Sequence, residues 1–151
     1  MSVPGAVIFF LAAVPIAIQD FRSYTIPDIP VYAGIVLSSI FRVSEGELWW
    51  GIAIEIAAGF ALFYLFWFFM QKRLGFGDVK LAAFIAAAVG FPAWFFAVLS
   101  GCILALVWAG VVTLSFDRDW KIPFAPFLCA GTLIAFFTFP YIEPILFGGS
   151  L

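Results

Sequence analysis

Long apolar blocks, separated by short polar segments, run along the whole chain. The blocks cover residues 3–19, 29–41, 48–70, 79–116 and 122–147. A helix that crosses a bilayer needs about 20 mostly apolar residues, so the fourth block is too long for one helix. The run Gly90-Phe91-Pro92 interrupts it, and proline fits the first turn of a new helix. The pattern predicts six transmembrane helices, with approximate bounds 3–19, 27–43, 47–71, 78–90, 92–116 and 123–146.

The composition indicates that the lipid bilayer surrounds these helices. Hydrophobic residues make up 66% of the 151 residues, and charged residues make up only 11%. Soluble domains contain about 45–50% apolar and about 25% charged residues, and a soluble fold of this length has too little interior for so much apolar surface. We therefore expect an all-α, polytopic membrane protein in which residues 1–151 form a single membrane-embedded domain.

The basic residues predict the orientation of the helices, because cytoplasmic loops carry an excess of lysine and arginine. The predicted outer side carries only Arg42. The other side carries the remaining six basic residues, Arg22, Lys72, Arg73, Lys80, Arg118 and Lys121. We therefore expect loops 20–28, 71–78 and 117–122 on the cytoplasmic side of the inner, or cytoplasmic, cell membrane, with both termini outside.

Histidine is absent, and its absence restricts the chemistry that the chain can perform. Histidine general bases, Ser-His-Asp and Cys-His sites and most zinc sites are excluded. Cys102 and Cys129 stand singly in apolar surroundings and are expected to be buried hydrophobic residues. No basic cluster indicates nucleic-acid binding, and no motif predicts a metal or a cofactor. Any reaction is therefore expected to use carboxylates, lysines or the two cysteines.

Two acidic segments lie on the predicted cytoplasmic side. Asp20 ends the first predicted helix, and Asp78 opens the fourth. An ionised carboxylate can take a proton from water while a protonated one polarises a peptide carbonyl, which is aspartic-protease chemistry without histidine or metal. Two ionised carboxylates about 5 Å apart repel by about 3 kcal/mol at an effective dielectric of about 20, so one proton is expected to be shared.

The residues around the two aspartates also have expected roles. Gly75 and Gly77 can adopt positive φ and let an extended substrate approach the backbone. A helix N-terminus favours the anion, so Asp78 is expected to be the more readily ionised of the pair and Asp20 the proton carrier. Asp28 could compete with Asp20 for the catalytic role, although its place at the start of the second helix favours an N-cap.

Three motifs resemble, in order, those of the type IV prepilin peptidases and archaeal preflagellin peptidases, which are G-x-G-D aspartyl membrane proteases. They are the run from Asp20 to I-P-D, the run G-F-G-D-V-K-L at 75–81 and the run I-P-F-A-P-F at 122–127, in which Ala125 replaces the usual glycine. The resemblance implies that Asp20 and Asp78 are catalytic. It also implies that the substrate is a prepilin, pseudopilin or archaellin precursor, whose leader is cleaved at the cytoplasmic face.

The same resemblance leads to an expectation about N-methyltransferase activity. Larger members of that family carry paired CxxC motifs in an extra domain and N-methylate the new terminus. Such cysteine pairs are absent from this sequence. We therefore expect a peptidase without N-methyltransferase activity, closer to the short six-helix members.

The remaining polar residues leave other possibilities open. Arg22 and Lys80 are expected to support the aspartate pair or to bind the substrate backbone, although membrane topology alone also explains their charge. A small transporter or proton relay would use Asp20, Asp78 and Glu55, an acid within the third predicted helix. A non-catalytic assembly protein of a pilus or secretion system would keep the fold. The relay accounts for the membrane acids but not for the G-x-G-D turn.

Overall fold

The computed structural model of the protein describes residues 3–69, 75–115 and 123–147, in which all regular structure is helical. Six helices follow one another: α1 (Val3–Ser23), α2 (Asp28–Ser44), α3 (Trp49–Phe69), α4 (Phe76–Val89), α5 (Phe91–Ser115) and α6 (Ala125–Phe147). The six predicted helices are confirmed as helices. The largest difference is at α1, which continues to Ser23 and therefore includes Asp20.

Local sequence explains where α4 ends and α5 begins. Gly90 has φ +79°, a left-handed conformation that glycine adopts without the penalty of a Cβ atom. Its backbone N–H donates to the carbonyl of Ala86 and closes the last turn of α4. Pro92 lies in the first turn of α5, where no intrahelical N–H is needed. The predicted break in the long apolar block is therefore confirmed.

Within the described residues, four helices are long and apolar enough to cross a membrane: Gly5–Ser23, Trp49–Phe69, Phe91–Val112 and Ala125–Ile145. Their outward surfaces are apolar, as the exposed side chains of Leu11, Leu106 and Phe137 illustrate. The chain is therefore a multi-pass membrane protein. The shorter α2 and α4 have 17 and 14 residues. An α4 of about 21 Å falls short of a hydrocarbon core of about 30 Å, so the prediction of six spans is supported for four helices.

Helix α4 lies at the centre of the bundle and packs against all five other helices. Almost all of its residues from Asp78 to Val89 are buried, and alanines that allow close helix approach predominate among them. The Trp94 ring from α5 donates from Nε1 to the carbonyl of Ala82, at 2.9 Å. This helix therefore forms the core of the protein, and Asp78 lies at one of its ends.

The opposite end of α4 is held by a group of charged side chains, Arg42, Glu47 and Glu55, which we call the Arg42 cluster. Arg42 is 9% exposed and donates to the carbonyls of Ala86 and Ala87, at 3.3 and 3.4 Å. It forms an ion pair of 2.7 Å with Glu55 and another with Glu47. Arg42 thus gives the carbonyl of Ala86 a second donor beside the N–H of Gly90, and it also donates to the carbonyl of Ala87 in the last turn of α4, where carbonyls lack intrahelical partners.

Candidate active site

Asp20 lies in the last turn of α1 and is 6% exposed. Its Oδ2 accepts a hydrogen bond of 3.1 Å from the backbone N–H of Ala125. Ala125 is the first residue of α6, where a backbone N–H has no partner within the helix. The third sequence motif therefore supplies a main-chain donor to the first aspartate, at the positive end of the α6 dipole.

Asp78 lies in the first turn of α4, at the same end of the bundle, and is 7% exposed. Gly75 precedes the helix in an extended conformation, with φ −67° and ψ 137°. The carboxyl group of Asp78 is close to Gly75 and interacts electrostatically with Asp20. The structure therefore brings together two buried carboxyl groups from distant parts of the chain.

The pKa of Asp78 differs from that of an ordinary aspartate. Asp78 lies outside the four helical segments that are long enough to cross the membrane. Burial raises its pKa, the charge of Asp20 adds to the effect, and a hydrogen bond with the backbone of Gly75 opposes it, so that the pKa is about 7. The prediction that the helix N-terminus keeps Asp78 readily ionised is wrong, because loss of hydration outweighs the helix dipole.

The two glycines of the G-x-G-D motif do not have positive φ. Among the described glycines, positive φ occurs at Gly46 and Gly90 and not at Gly75 or Gly77. A Cβ atom at position 77 would lie 2.8 Å from the Cβ of Ile26. Glycine at 77 therefore allows the first turn of α4 to approach the segment that joins α1 to α2.

Lys80 and Asp28 form an ion pair that joins α2 to α4. The Nζ of Lys80 lies 2.6 Å from Oδ1 of Asp28 and within 6 Å of the ring centres of Tyr32 and Phe76, at 5.8 and 5.5 Å. Asp28 is the first residue of α2 and makes no side-chain capping bond there, so the favoured N-cap interpretation is wrong. Its carboxylate pairs with a lysine instead of joining Asp20.

A cleft of about 300 Å³ opens beside Asp78. It is lined by residues that join α1 to α2 and by the start of α4: Tyr24, Thr25, Ile26, Asp28, Gly75, Phe76, Gly77, Asp78 and Lys80. Asp20 is not part of this lining. An extended peptide in the cleft would therefore meet Asp78 directly.

Comparison with known sequences gives the family. The sequence model of the type IV leader peptidase family matches residues 7–110. The chain belongs to this family. The matched region contains Asp20 and Asp78 and ends before α6, so the contact with Ala125 lies outside it.

Two curated relatives of this chain are prepilin leader peptidase/N-methyltransferases. The protein from Bacillus subtilis (strain 168) is 29% identical over 136 residues, which cover 87% of this chain and 54% of the relative. The protein from Pectobacterium carotovorum subsp. carotovorum is 26% identical over 141 residues, which cover 87% of this chain and 50% of the relative. The chain thus spans about half the length of the relatives it matches. No solved structure matches it at a significant level.

The structure places the predicted site residues at different positions around the cleft. Gly75, Gly77 and Lys80 line the cleft with Asp78. Arg22 is exposed in the last turn of α1, close to Asp20 in sequence. The predicted basic loops at 71–74 and 117–122 lie outside the described residues.

Ala125 had no predicted role at the site, although its motif had been recognised. The sequence singled out residues 122–127 as the start of the last helix. The distribution of basic residues put the start of that helix on the same side as Asp20. It could not predict the hydrogen bond from the N–H of Ala125, because every residue other than proline has such a main-chain donor.

Proposed function

We propose that this chain is an aspartyl endopeptidase that removes the leader peptide of prepilin-like precursors, with Asp20 and Asp78 as the catalytic carboxyl groups. The observation that carries the proposal is the electrostatic interaction between two buried aspartates, one of which lines a cleft. The two curated relatives, named for prepilin leader peptidase activity, support the substrate class. We extend that class to pseudopilin and archaellin precursors.

In the proposed mechanism Asp20 starts ionised and Asp78 starts protonated. Asp20 takes a proton from water as the water oxygen bonds to the scissile carbonyl carbon, and Asp78 donates a hydrogen bond to the carbonyl oxygen. The tetrahedral intermediate collapses with cleavage of the C–N bond, and the leaving nitrogen takes the proton that Asp20 had received. The pKa of about 7 at Asp78 supports this division, because the protonated acid is available near neutral pH.

Peptidase activity is the part of the relatives' function that we assign to this chain. Their names combine a peptidase with an N-methyltransferase, and the matching region covers about half of each. Both aspartates fall within residues 7–110, which the family model matches, and no paired CxxC motif occurs in the sequence. We therefore assign hydrolysis, without a cofactor or a metal, to this chain.

The proposed site faces the cytoplasm, in the inner cell membrane, with both termini outside. Arg22 and Lys80 lie at the end of the bundle that carries Asp20 and Asp78, whereas Arg42 lies at the other end. This distribution agrees with the positive-inside rule. The leader of a membrane-anchored precursor would then enter the cleft from the cytoplasmic side.

The proton-relay alternative receives no support from the position of Glu55. This side chain pairs with Arg42 at the far end of α4. Asp78 and the carbonyl of Ala87, which Arg42 contacts, are separated by roughly 14 Å along the helix axis. The described acids therefore form two separate groups and no continuous path.

The test is co-expression of the chain with a prepilin-type precursor, followed by detection of leader loss on a gel. Asp20→Asn and Asp78→Asn are each expected to abolish cleavage, because each removes a group that moves or holds a proton. Glu45→Gln, which changes an exposed acid at the other end of the bundle, is the matched control and should cleave normally. Cleavage that survives both aspartate substitutions would refute the aspartyl mechanism.

A further inference from the structure

Tyr24 has a backbone conformation that an aromatic residue seldom adopts. Its φ is +53°, and no other described residue apart from glycine has a positive φ. The conformation closes the C-terminus of α1, because the N–H of Tyr24 donates to the carbonyl of Asp20 at 2.9 Å. Helices that end in this way usually carry glycine or asparagine here, since a Cβ atom is disfavoured. Glycine or asparagine would therefore suit this backbone conformation better than tyrosine does.

Packing within the protein does not explain the tyrosine. Its side chain is 49% exposed and lines the cleft beside Asp78. Phe76, which is 42% exposed, lines the same cleft from the start of α4. A ring that is held in a disfavoured backbone conformation and left half exposed beside reactive groups is available for a ligand.

We propose that Tyr24 determines specificity by forming an aromatic wall of the cleft and packing against the substrate segment next to the scissile bond. The inference rests on the proposed function and adds a residue that contacts substrate. The Phe76 ring already lies near the Nζ of Lys80, at 5.5 Å. That lysine is paired with Asp28, at 2.6 Å, so the two rings offer an apolar surface without an unpaired lysine charge beside it. The cleft between Tyr24 and Phe76 is therefore suited to an extended, uncharged peptide segment.

Three substitutions distinguish the effect of the Tyr24 ring from the effect of its backbone conformation. Tyr24→Gly and Tyr24→Asn remove the ring and suit the left-handed conformation. Both are expected to unfold at the same temperature as the unmodified protein, or a higher one, in detergent. Their kcat/KM for a prepilin-type precursor is expected to fall about tenfold, mainly through KM, which is the effect of losing part of an aromatic contact. Tyr24→Phe keeps the ring, so its kcat/KM is expected to be about tenfold higher than that of Tyr24→Gly.

A purely structural tyrosine would give a different result, because activity and thermal stability would fall together. Tyr24→Gly with unchanged kcat/KM would overturn the proposal, and so would Tyr24→Gly with a lower unfolding temperature.

A binding measurement with the same precursor uses the Asp78→Asn background, in which cleavage is expected to stop. Adding Tyr24→Gly there should weaken binding about tenfold. If Asp20→Asn and Asp78→Asn still cleave, the proposed function fails; if they do not cleave and Tyr24→Gly is unimpaired, only this inference fails.

Discussion

Replacing Ala125 with proline would remove the backbone N–H that donates to Oδ2 of Asp20 at 3.1 Å. The substitution should spare the helix, because position 125 is the first residue of α6 and proline is well tolerated there. Phe124, which would precede the new proline, is not helical. The chain therefore offers a site where a main-chain donor can be deleted by an ordinary substitution.

The expected loss of kcat in the Ala125→Pro variant follows from the type of hydrogen bond that is removed. A hydrogen bond to a charged group contributes about 1.5–3 kcal/mol. If Asp20 is the ionised base, the bond holds it in position during proton transfer. Each 1.4 kcal/mol or so is a factor of ten in rate, so kcat should fall about 10- to 150-fold. Because Ala125 does not line the cleft, KM should change little.

The assay is the initial rate of leader removal from a prepilin-type precursor by purified protein in detergent. Ala125→Gly is the matched control, because it keeps the N–H and restores the residue usual in this motif. It should lose far less kcat than the proline variant. Thermal unfolding of both variants establishes that α6 is formed. A folded Ala125→Pro variant with the same kcat as Ala125→Gly would refute the role given to this hydrogen bond.

Three further predictions concern the ends of α4. Arg42→Met leaves Glu55 without its ion-pair partner and should destabilise the fold by about 3 kcal/mol in thermal unfolding; the double variant with Glu55→Gln should recover part of the loss. Gly77→Ala places a Cβ atom 2.8 Å from the nearest side-chain atom and should cost about 1–3 kcal/mol, whereas Gly110→Ala, which meets open space, should not destabilise the fold. The pH profile of kcat/KM should fall by about tenfold per unit above about pH 7, because the protonated form of Asp78 is lost there; a profile flat to about pH 9 would contradict its role as the acid.

Sequence predicted the helices well because their signals are local. Apolar block length defined six segments, and the Gly90–Pro92 break divided the longest block where the structure divides it. Asp20 and Asp78 were singled out by local motifs and by the distribution of basic residues, and the structure brings them together. Each of these signals can be recognised within a short stretch of the chain.

Interactions between distant residues could not be predicted in the same way. Asp28 has the local context of an N-cap, yet its carboxylate pairs with Lys80 across the helix interface. Arg42 was assigned to the outer side as a topological charge, yet it is buried against the end of α4. Sequence shows that such charges exist but not which partner each one meets, because that depends on how the helices are arranged in space.

These long-range contacts also explain how a helix too short to span the bilayer can carry a buried aspartate. Helix α4 is surrounded by the other helices, so the bilayer does not set its depth. The Asp28–Lys80 pair joins its first turn to α2, and Arg42 holds its last carbonyls beside a cavity of about 230 Å³. A displacement of α4 along its axis would break contacts at both ends. Asp78 is therefore held at a fixed depth relative to α1 and α6, which carry Asp20 and its main-chain donor.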